Sequence, residues 1–299
     1  MNRIFETIGT SKQSFHQMVR RKGLVAQETG QLLYLVGKIR ADHPRMSIRE
    51  IYFKLQPCFI GRDRFEKLCL QNGYGVSPHK NFRRTTDSRG VTRFANLIKQ
   101  IEVTGVNQVF VSDITYFEMD QKFYYITLIM DLYNRELAGF HAADSLRTEQ
   151  TTLPALERLI RERGKANIKG AIIHSDGGGQ YYCKEFLKLT MHLEMLNSMT
   201  GESVYENAHA ERLNRTIKNN YLYPYQPKSL ADLRRKLDKA VTMYNTDKAH
   251  RALGGKTPVQ YRTNSVIDNE DNTSCYLPLS TTKHHQHQQQ NKSNSVNVI

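Results

Sequence analysis

Residues 109–117 read VFVSDITYF, with one acid, Asp113, inside an otherwise apolar and β-branched run. Such a run predicts a strand. A carboxylate in the middle of a strand is costly to bury unless it is paired or holds a metal; the other reading is an Asp on a solvated face. KFYYITLIMDLY (122–133) and RELAGFHAA (135–143) predict two more strands, and the short links favour antiparallel pairing of the three. SLRTEQTTLPALERLIRERG (145–164) predicts a helix with Gly164 after its end, and GAIIHSD (170–176) a buried strand running into a glycine run. CKEFLKLTMHL (183–193) predicts a helix, MLNSMT (195–200) a short strand and GESVYE (201–206) a loop. ENAHAERLNRTIKNNYL (206–222) and SLADLRRKLDKAVTMYNTD (229–247) predict two further helices. Residues 106–262 are therefore expected to form an α/β domain.

The regions on either side differ in composition. Residues 1–72 are helical in pattern and rich in Arg and Lys. LVAQETGQLLYLVGKIRADHP predicts a helix that stops before Pro44, and MSIREIYFKLQP a helix capped by Ser47 and stopped by Pro57. FIGRDRFEKLCLQNGYG places a turn at Gly61 and a basic helix from about Arg62 to Gly73. This is the outline of a helix-turn-helix, repeated earlier in IFETIGTSKQSFHQMVRRK with its turn at Gly9. An ordinary helical bundle with basic faces fits the same pattern. Residues 73–105 are polar, basic and turn-rich and predict a linker, in which FANLI is a candidate docking element. Residues 263–299, ending KHHQHQQQNKSNSVNVI, predict a disordered polar tail.

Lys and Arg number 43 against 29 Asp and Glu, a formal net charge of +14. An excess of this size favours polyanions, and nucleic acid before an anionic membrane surface. No apolar run reaches the roughly 18 residues that span a bilayer. Cysteines at 58, 69, 183 and 275 form no C-x-x-C pair, which argues against a zinc ribbon or a disulfide framework. Reduced thiols fit a cytoplasmic protein.

Phosphodiester chemistry needs an activated water or hydroxyl and a neutralised transition state. Two divalent cations bridged by carboxylates supply both. Mg²⁺ or Mn²⁺, with their preference for oxygen donors, are the expected ions. Three acids are candidates. Asp113 sits in the first strand. Asp176 ends the strand AIIHSD and faces Gly177, Gly178 and Gly179, where ligands of α/β folds often bind. Glu211 lies on the helix over 206–222, with Asn207, Asn214, Arg215 and Lys218 around it on one polar, basic face. Each alone has a bland alternative: a solvated strand position, a turn Asp, and a Glu211–Arg215 i,i+4 pair.

Taken together, the order strand, strand end, helix resembles the DDE integrase core of the ribonuclease-H-like superfamily, and within it the insertion-sequence-three family of bacterial transposases. VFVSDITYF, IHSDGGGQYY, YENAHAERLNRTIKNNYL and YNTDKAHRALGGKTPVQY carry the resemblance, and RADHPRMSIREIYFKL with GRDRFEKL extends it upstream. The resemblance implies a mixed five-stranded sheet flanked by helices. It implies that Asp113, Asp176 and Glu211 hold two Mg²⁺ (or Mn²⁺), that water cleaves transposon ends, and that the freed 3′-hydroxyls attack another phosphodiester. It further implies double-stranded DNA as partner, a homo-oligomer on that DNA, and an upstream-frame partner protein. Two features depart from the family. Gly177 stands where Arg or Asn is usual, and 34 rather than 35 residues separate the last two acids, a shortening that fits in the loop TGESVY. They would favour a decayed or domesticated DNA-binding relative.

DNA contacts are expected from Arg62 and Arg64 at base edges, and from Asn214, Arg215 and Lys218 along the cleaved strand. Asp131 is a fourth acid that reads equally as a turn former. His174 shares a strand face with Asp176 and reads more simply as a core histidine. His250 and Arg251 either touch DNA or cap a helix.

Overall fold

The computed structural model describes residues 5, 9–77, 94–99, 101–200 and 208–271. β1 (Val109–Met119), β2 (Lys122–Asp131) and β3 (Leu137–Ala143) are antiparallel neighbours. β4 (Ile172–Ser175) and β5 (Leu196–Met199) run parallel to β1 and to each other, giving the order β3-β2-β1-β4-β5. The β1–β2 turn uses Asp120 and Gln121, both at positive φ, as a two-residue hairpin requires. Parallel β4 needs a crossover, and α4 (Thr152–Arg163) supplies it; α5 (Lys184–His192) does the same between β4 and β5. This is the ribonuclease-H-like α/β arrangement expected from the sequence.

The sheet is buried on both faces, which is why its strands read as near-continuous apolar runs. Val111, Phe117 and Met119 of β1 face a core closed by α6 (Ala208–Ile217) and α8 (Leu230–Thr246). Phe110 of β1 and Ile129 of β2 face a second core closed by α4 and α5. Between α6 and α8 the chain makes a π turn (Lys218–Leu222) and a short α7 (Tyr223–Tyr225).

The N-terminal helices are α1 (Lys12–Asp42), α2 (Ile48–Leu55) and α3 (Arg62–Gln71). The two segments expected before Pro44 are one helix of 31 residues, capped by Ser11 and continuous through Gly23 and Gly30. A helical glycine costs only about 1 kcal/mol, and helix-forming neighbours outweigh it. α2 starts with a capping box between Ser47 and Glu50, and α3 follows Gly61 as read from the sequence. Leu32, Val36, Met46, Ile51, Phe65 and Cys69 form their shared core.

The described residues up to Arg262 make one compact unit, so the N-terminal helices and the sheet belong together. α9 (Pro258–Asp271) runs past residue 262, so the first residues of the expected disordered tail are helical. Thr257 and Gln260 cap its start reciprocally, and a nucleated helix propagates readily. The rest of the tail, 272–299, lies outside the described residues. In the expected linker, Leu97 N–H donates to Ser198 Oγ of β5 at 2.9 Å, so the FANLI segment docks on the sheet. Among the described residues no helix is long and apolar enough to cross a membrane, and Cys58, Cys69 and Cys183 are free thiols.

Candidate active site

Sheet register brings two of the acids together. Ser112 of β1 is paired with Ser175 of β4, so Asp113 and Asp176 are the next residues along two adjacent parallel strands. Asp113 shares a strand face with Val111 and Thr115, the face that α6 covers. Asp176 is turned by its own loop: its Oδ1 accepts from Gly178 N–H at 3.1 Å, and a Cβ on Gly178 would lie 3.0 Å from that oxygen. Glycine therefore leaves room at the Asp176 carboxylate. Glu211 stands in the first turn of α6 and is exposed.

The electrostatics tie the three together. Burial, then the charge of Asp176 and also that of Glu211, push the Asp113 carboxyl up to about 8, against the Ile114 N–H and the Lys218 ammonium. Burial also raises Asp176, partly offset by the Gly178 N–H. Carboxyls crowded so that ionisation is suppressed have the chemistry of a cation site, and an all-oxygen set suits Mg²⁺ or Mn²⁺. Among the described residues, no three His, Cys, Asp or Glu side chains are gathered to ligand spacing. Glu211 lies within electrostatic reach of Asp113 without closing on it.

The polar face read around Glu211 is divided in the structure. Asn214 is buried, and its Nδ2 donates to Asp113 Oδ2 at 2.6 Å. Lys218 Nζ donates to Thr115 Oγ1 at 2.6 Å and to the Tyr116 carbonyl at 3.1 Å. Both side chains turn inward onto β1, because α6 packs flat on that strand; Arg215 stays exposed. On α3, Arg62 and Arg64 are exposed, and the Arg62 guanidinium pairs with Asp63 at 2.9 Å.

Other candidates have structural duties. Asp131 is fully buried and accepts from the N–H groups of Asn107 (2.7 Å) and Tyr133 (3.0 Å), which makes it the turn former. His174 is fully buried, with Nδ1 2.9 Å from Ser198 Oγ. The His250 ring stacks edge-on to Tyr244 with centroids 4.7 Å apart, and burial lowers it to about 4; Arg251 is exposed. Glu206, Asn207 and most of the shortened loop lie outside the described residues. The sequence reading missed the fully buried Ser112, whose Oγ is 2.8 Å from the Tyr181 hydroxyl beneath the acids. The GGGQYY motif held that tyrosine, but nothing in it told a buried ring from an exposed one.

Two family models, each described as "Integrase core domain", match residues 103–202 and 196–258, and together span just over half of the chain. The chain is 26% identical over 272 residues to the "Insertion element IS600 uncharacterized 31 kDa protein" of Shigella sonnei, covering 86% of this chain and 96% of that one. It is 27% identical over 208 residues to a "Putative transposase for insertion sequence element IS986/IS6110" of Mycobacterium tuberculosis, covering 67% and 74%. The chain belongs to the DDE transposases with an integrase core. Asp113 and Asp176 of this transposase fall within the first matched segment, and Glu211 within the second. A solved structure, the HTLV-2 integrase catalytic core domain in complex with magnesium, aligns over 53% of this chain and 97% of that one, at 19% identity and a TM-score of 0.44.

Proposed function

We propose that this transposase cleaves transposon ends and joins the freed 3′-hydroxyls to a second phosphodiester, with Asp113, Asp176 and Glu211 as its catalytic acids. The observation that carries the assignment is Asp113: a carboxyl beside Asp176, pushed up to about 8 by burial and by the neighbouring acids. Bound there, one or two Mg²⁺ or Mn²⁺ ions would activate the attacking oxygen and neutralise charge on the phosphodiester.

The chain's own residues set the geometry. Asn214 holds one oxygen of Asp113 through its amide, leaving Oδ1 near the Ile114 N–H. Gly178 holds Oδ1 of Asp176 through its N–H. Lys218 brings positive charge beside Asp113 while bonded to the strand, so its role is to position β1 and not to reach along DNA. Arg215, Arg62 and Arg64 are exposed and are the DNA-contacting candidates, Arg62 after giving up its pair with Asp63. Water cleavage breaks the P–O3′ bond and leaves a 3′-hydroxyl and a 5′-phosphate. In the joining step that hydroxyl loses its proton and displaces another 3′ oxygen, with no covalent protein intermediate.

Membership of the insertion-sequence-three group, a homo-oligomer on DNA, an upstream-frame partner and nucleoid association all belong to the same proposal; the similarity to insertion-element proteins supports them. A strand-transfer assay with a pre-cleaved duplex end and Mg²⁺ tests the reading. Joined product is expected. Cleavage without joining would make the chain a nuclease, and DNA binding with neither would make it a decayed relative.

A further inference from the structure

The helix that carries Glu211 does not end at the active site. α6, the π turn and α7 run on without a break from Ala208 to Tyr225. A π turn acts as one residue inserted into an α-helix, so the helix beyond it is rotated back by about 100°. Side-chain bonds hold this irregular stretch at both ends. Before it, Asn214 is bonded to Asp113, and at its start Lys218 is bonded to Thr115 and Tyr116 of β1. Within it, the Tyr221 hydroxyl lies 3.0 Å from Nδ1 of His43, at the C-terminal cap of α1.

His43 is 2% exposed, and both of its ring nitrogens have partners in the catalytic core, 178 and 204 residues away. Its Nε2 lies 2.6 Å from Oδ2 of Asp247, the C-terminal cap of α8. Lys54 of α2 pairs with the other oxygen of Asp247. Lys248 reaches back to Glu50 at 2.7 Å, and Glu50 also closes the capping box of α2. Tyr225, at the end of the same continuous helix, donates to the Asp42 carbonyl at 2.7 Å, and Lys239 pairs with the Asp42 carboxylate at 2.9 Å. Neutral His43 satisfies both contacts at once: Nε2–H donates to Asp247 and Nδ1 accepts from Tyr221.

We propose that His43 is a positioning residue that latches the N-terminal helices to the helix carrying Glu211, through Tyr221 in the π turn and Asp247. The proposal rests on the reading of Glu211 as a catalytic acid. On that reading, the helices that hold DNA and the acid that holds metal are fixed to one another across a seam in which His43 is the buried ring that touches the Glu211 helix and Asp247 at once. Packing alone would hold the two regions together, but it would not require the π turn. The latch aims the hydroxyl of Tyr221 at His43 while Asn214 stays on Asp113.

The test is amide hydrogen exchange on the full, metal-free chain, paired with strand-transfer kinetics. His43→Ala should speed exchange across 208–225 by about tenfold, the weight of one buried hydrogen bond, and leave β1 and β2 at parental rates. His43→Gln, which keeps a donor for Asp247 and an acceptor for Tyr221, should restore slow exchange. Tyr221→Phe keeps the ring, so the fold survives, and it should loosen the same stretch. In strand transfer, His43→Ala and Tyr221→Phe should lower kcat with little change in duplex affinity, and His43→Gln should recover it. Acceleration confined to 12–71, with 208–225 unchanged in both His43→Ala and Tyr221→Phe, would overturn the latch. The exchange measurement needs neither DNA nor metal, so it decides the latch even in a chain that cleaves nothing.

Discussion

Asp113 and Asp247 each accept from a nitrogen donor at 2.6 Å, yet their surroundings move them in opposite directions. Around Asp113, burial and the charges of Asp176 and Glu211 raise the carboxyl. Around Asp247, burial works the same way but loses to hydrogen bonds from Lys54 and His43, and the carboxyl falls below its usual range. Glu50 follows Asp247: burial raises it, and Lys248 and the Ser47 cap more than offset that. The seam between the N-terminal helices and the core uses its opposite charges on one another. Among the described residues, the acids at β1 and the end of β4 have Lys218 nearby, itself bonded to the strand, and are left short of positive charge. A region whose charges are balanced within the protein is there to hold; a region left unbalanced is open to an added cation.

The sharpest way to break this contrast is to neutralise each kind of acid. Asp113→Asn, Asp176→Asn and Glu211→Gln should each abolish Mg²⁺-dependent cleavage, by roughly a thousandfold or more if several kcal/mol of transition-state stabilisation is lost. Asp113→Asn should not lower the melting temperature of the metal-free chain, since it removes a carboxyl that the fold disfavours in its ionised form. Cleavage by any one purified variant removes that residue from the site. Leu213, on the opposite side of the Glu211 helix and 3% exposed, supplies packing instead. Leu213→Ala should cost roughly 2–5 kcal/mol in urea unfolding; a cost near zero would mean that α6 does not bury this face.

Asp247→Ala should cost about 1–3 kcal/mol at neutral pH, because the buried His43 loses an acceptor. The pair with Lys54 is partly exposed and adds little. Asp247 has a lowered folded pKa, so its contribution is present above the ordinary carboxylate range and is lost as pH falls through the folded value. Melting curves of parent and variant should therefore converge in acid. Asp113 has the opposite sign. Its raised pKa makes the metal-free fold lose stability as pH climbs from about 4 to about 8, and flatten above that. Mg²⁺ affinity should rise over the same window, by up to about tenfold per pH unit, since the ion competes with the proton. Affinity that is flat between pH 6.5 and 8.5 by calorimetry would show that ion binding displaces no proton from Asp113 in that window. The smallest effect belongs to the exposed cations. Arg64→Ala or Arg215→Ala should weaken duplex binding by a few-fold and reduce its salt slope by about one. An unchanged slope would take that residue off the DNA.

The sheet was legible because its strands are apolar runs with an acid at a telling place, and the helices because caps and stops bracket them. Asp113 and Asp176 were legible for the same reason: an acid in a strand, and an acid before three glycines, are both out of place. The direction of Asn214 and Lys218 was not legible. Helical spacing puts them on the face of Glu211, but which part of that face meets β1 depends on how α6 lies on the sheet. Seam residues such as His43 were hidden because their partners lie about 200 positions away. The YNTDK stretch contains Asp247 and Lys248, but nothing in its pattern marked them or said what they touch.

The π turn has a consequence for length variation. Losing one residue from a regular helix turns everything after the loss by about 100° relative to everything before it. Within 218–222 the chain already carries the surplus residue. Removing Asn219 or Asn220 would therefore leave an ordinary α-helix, unbroken, well hydrogen-bonded and still in phase, because the lost residue and the lost π turn cancel. Glu211 would still face the acids and Tyr221 would still face His43. The irregular turn is thus a place where this helix can be shortened without setting its two halves at odds.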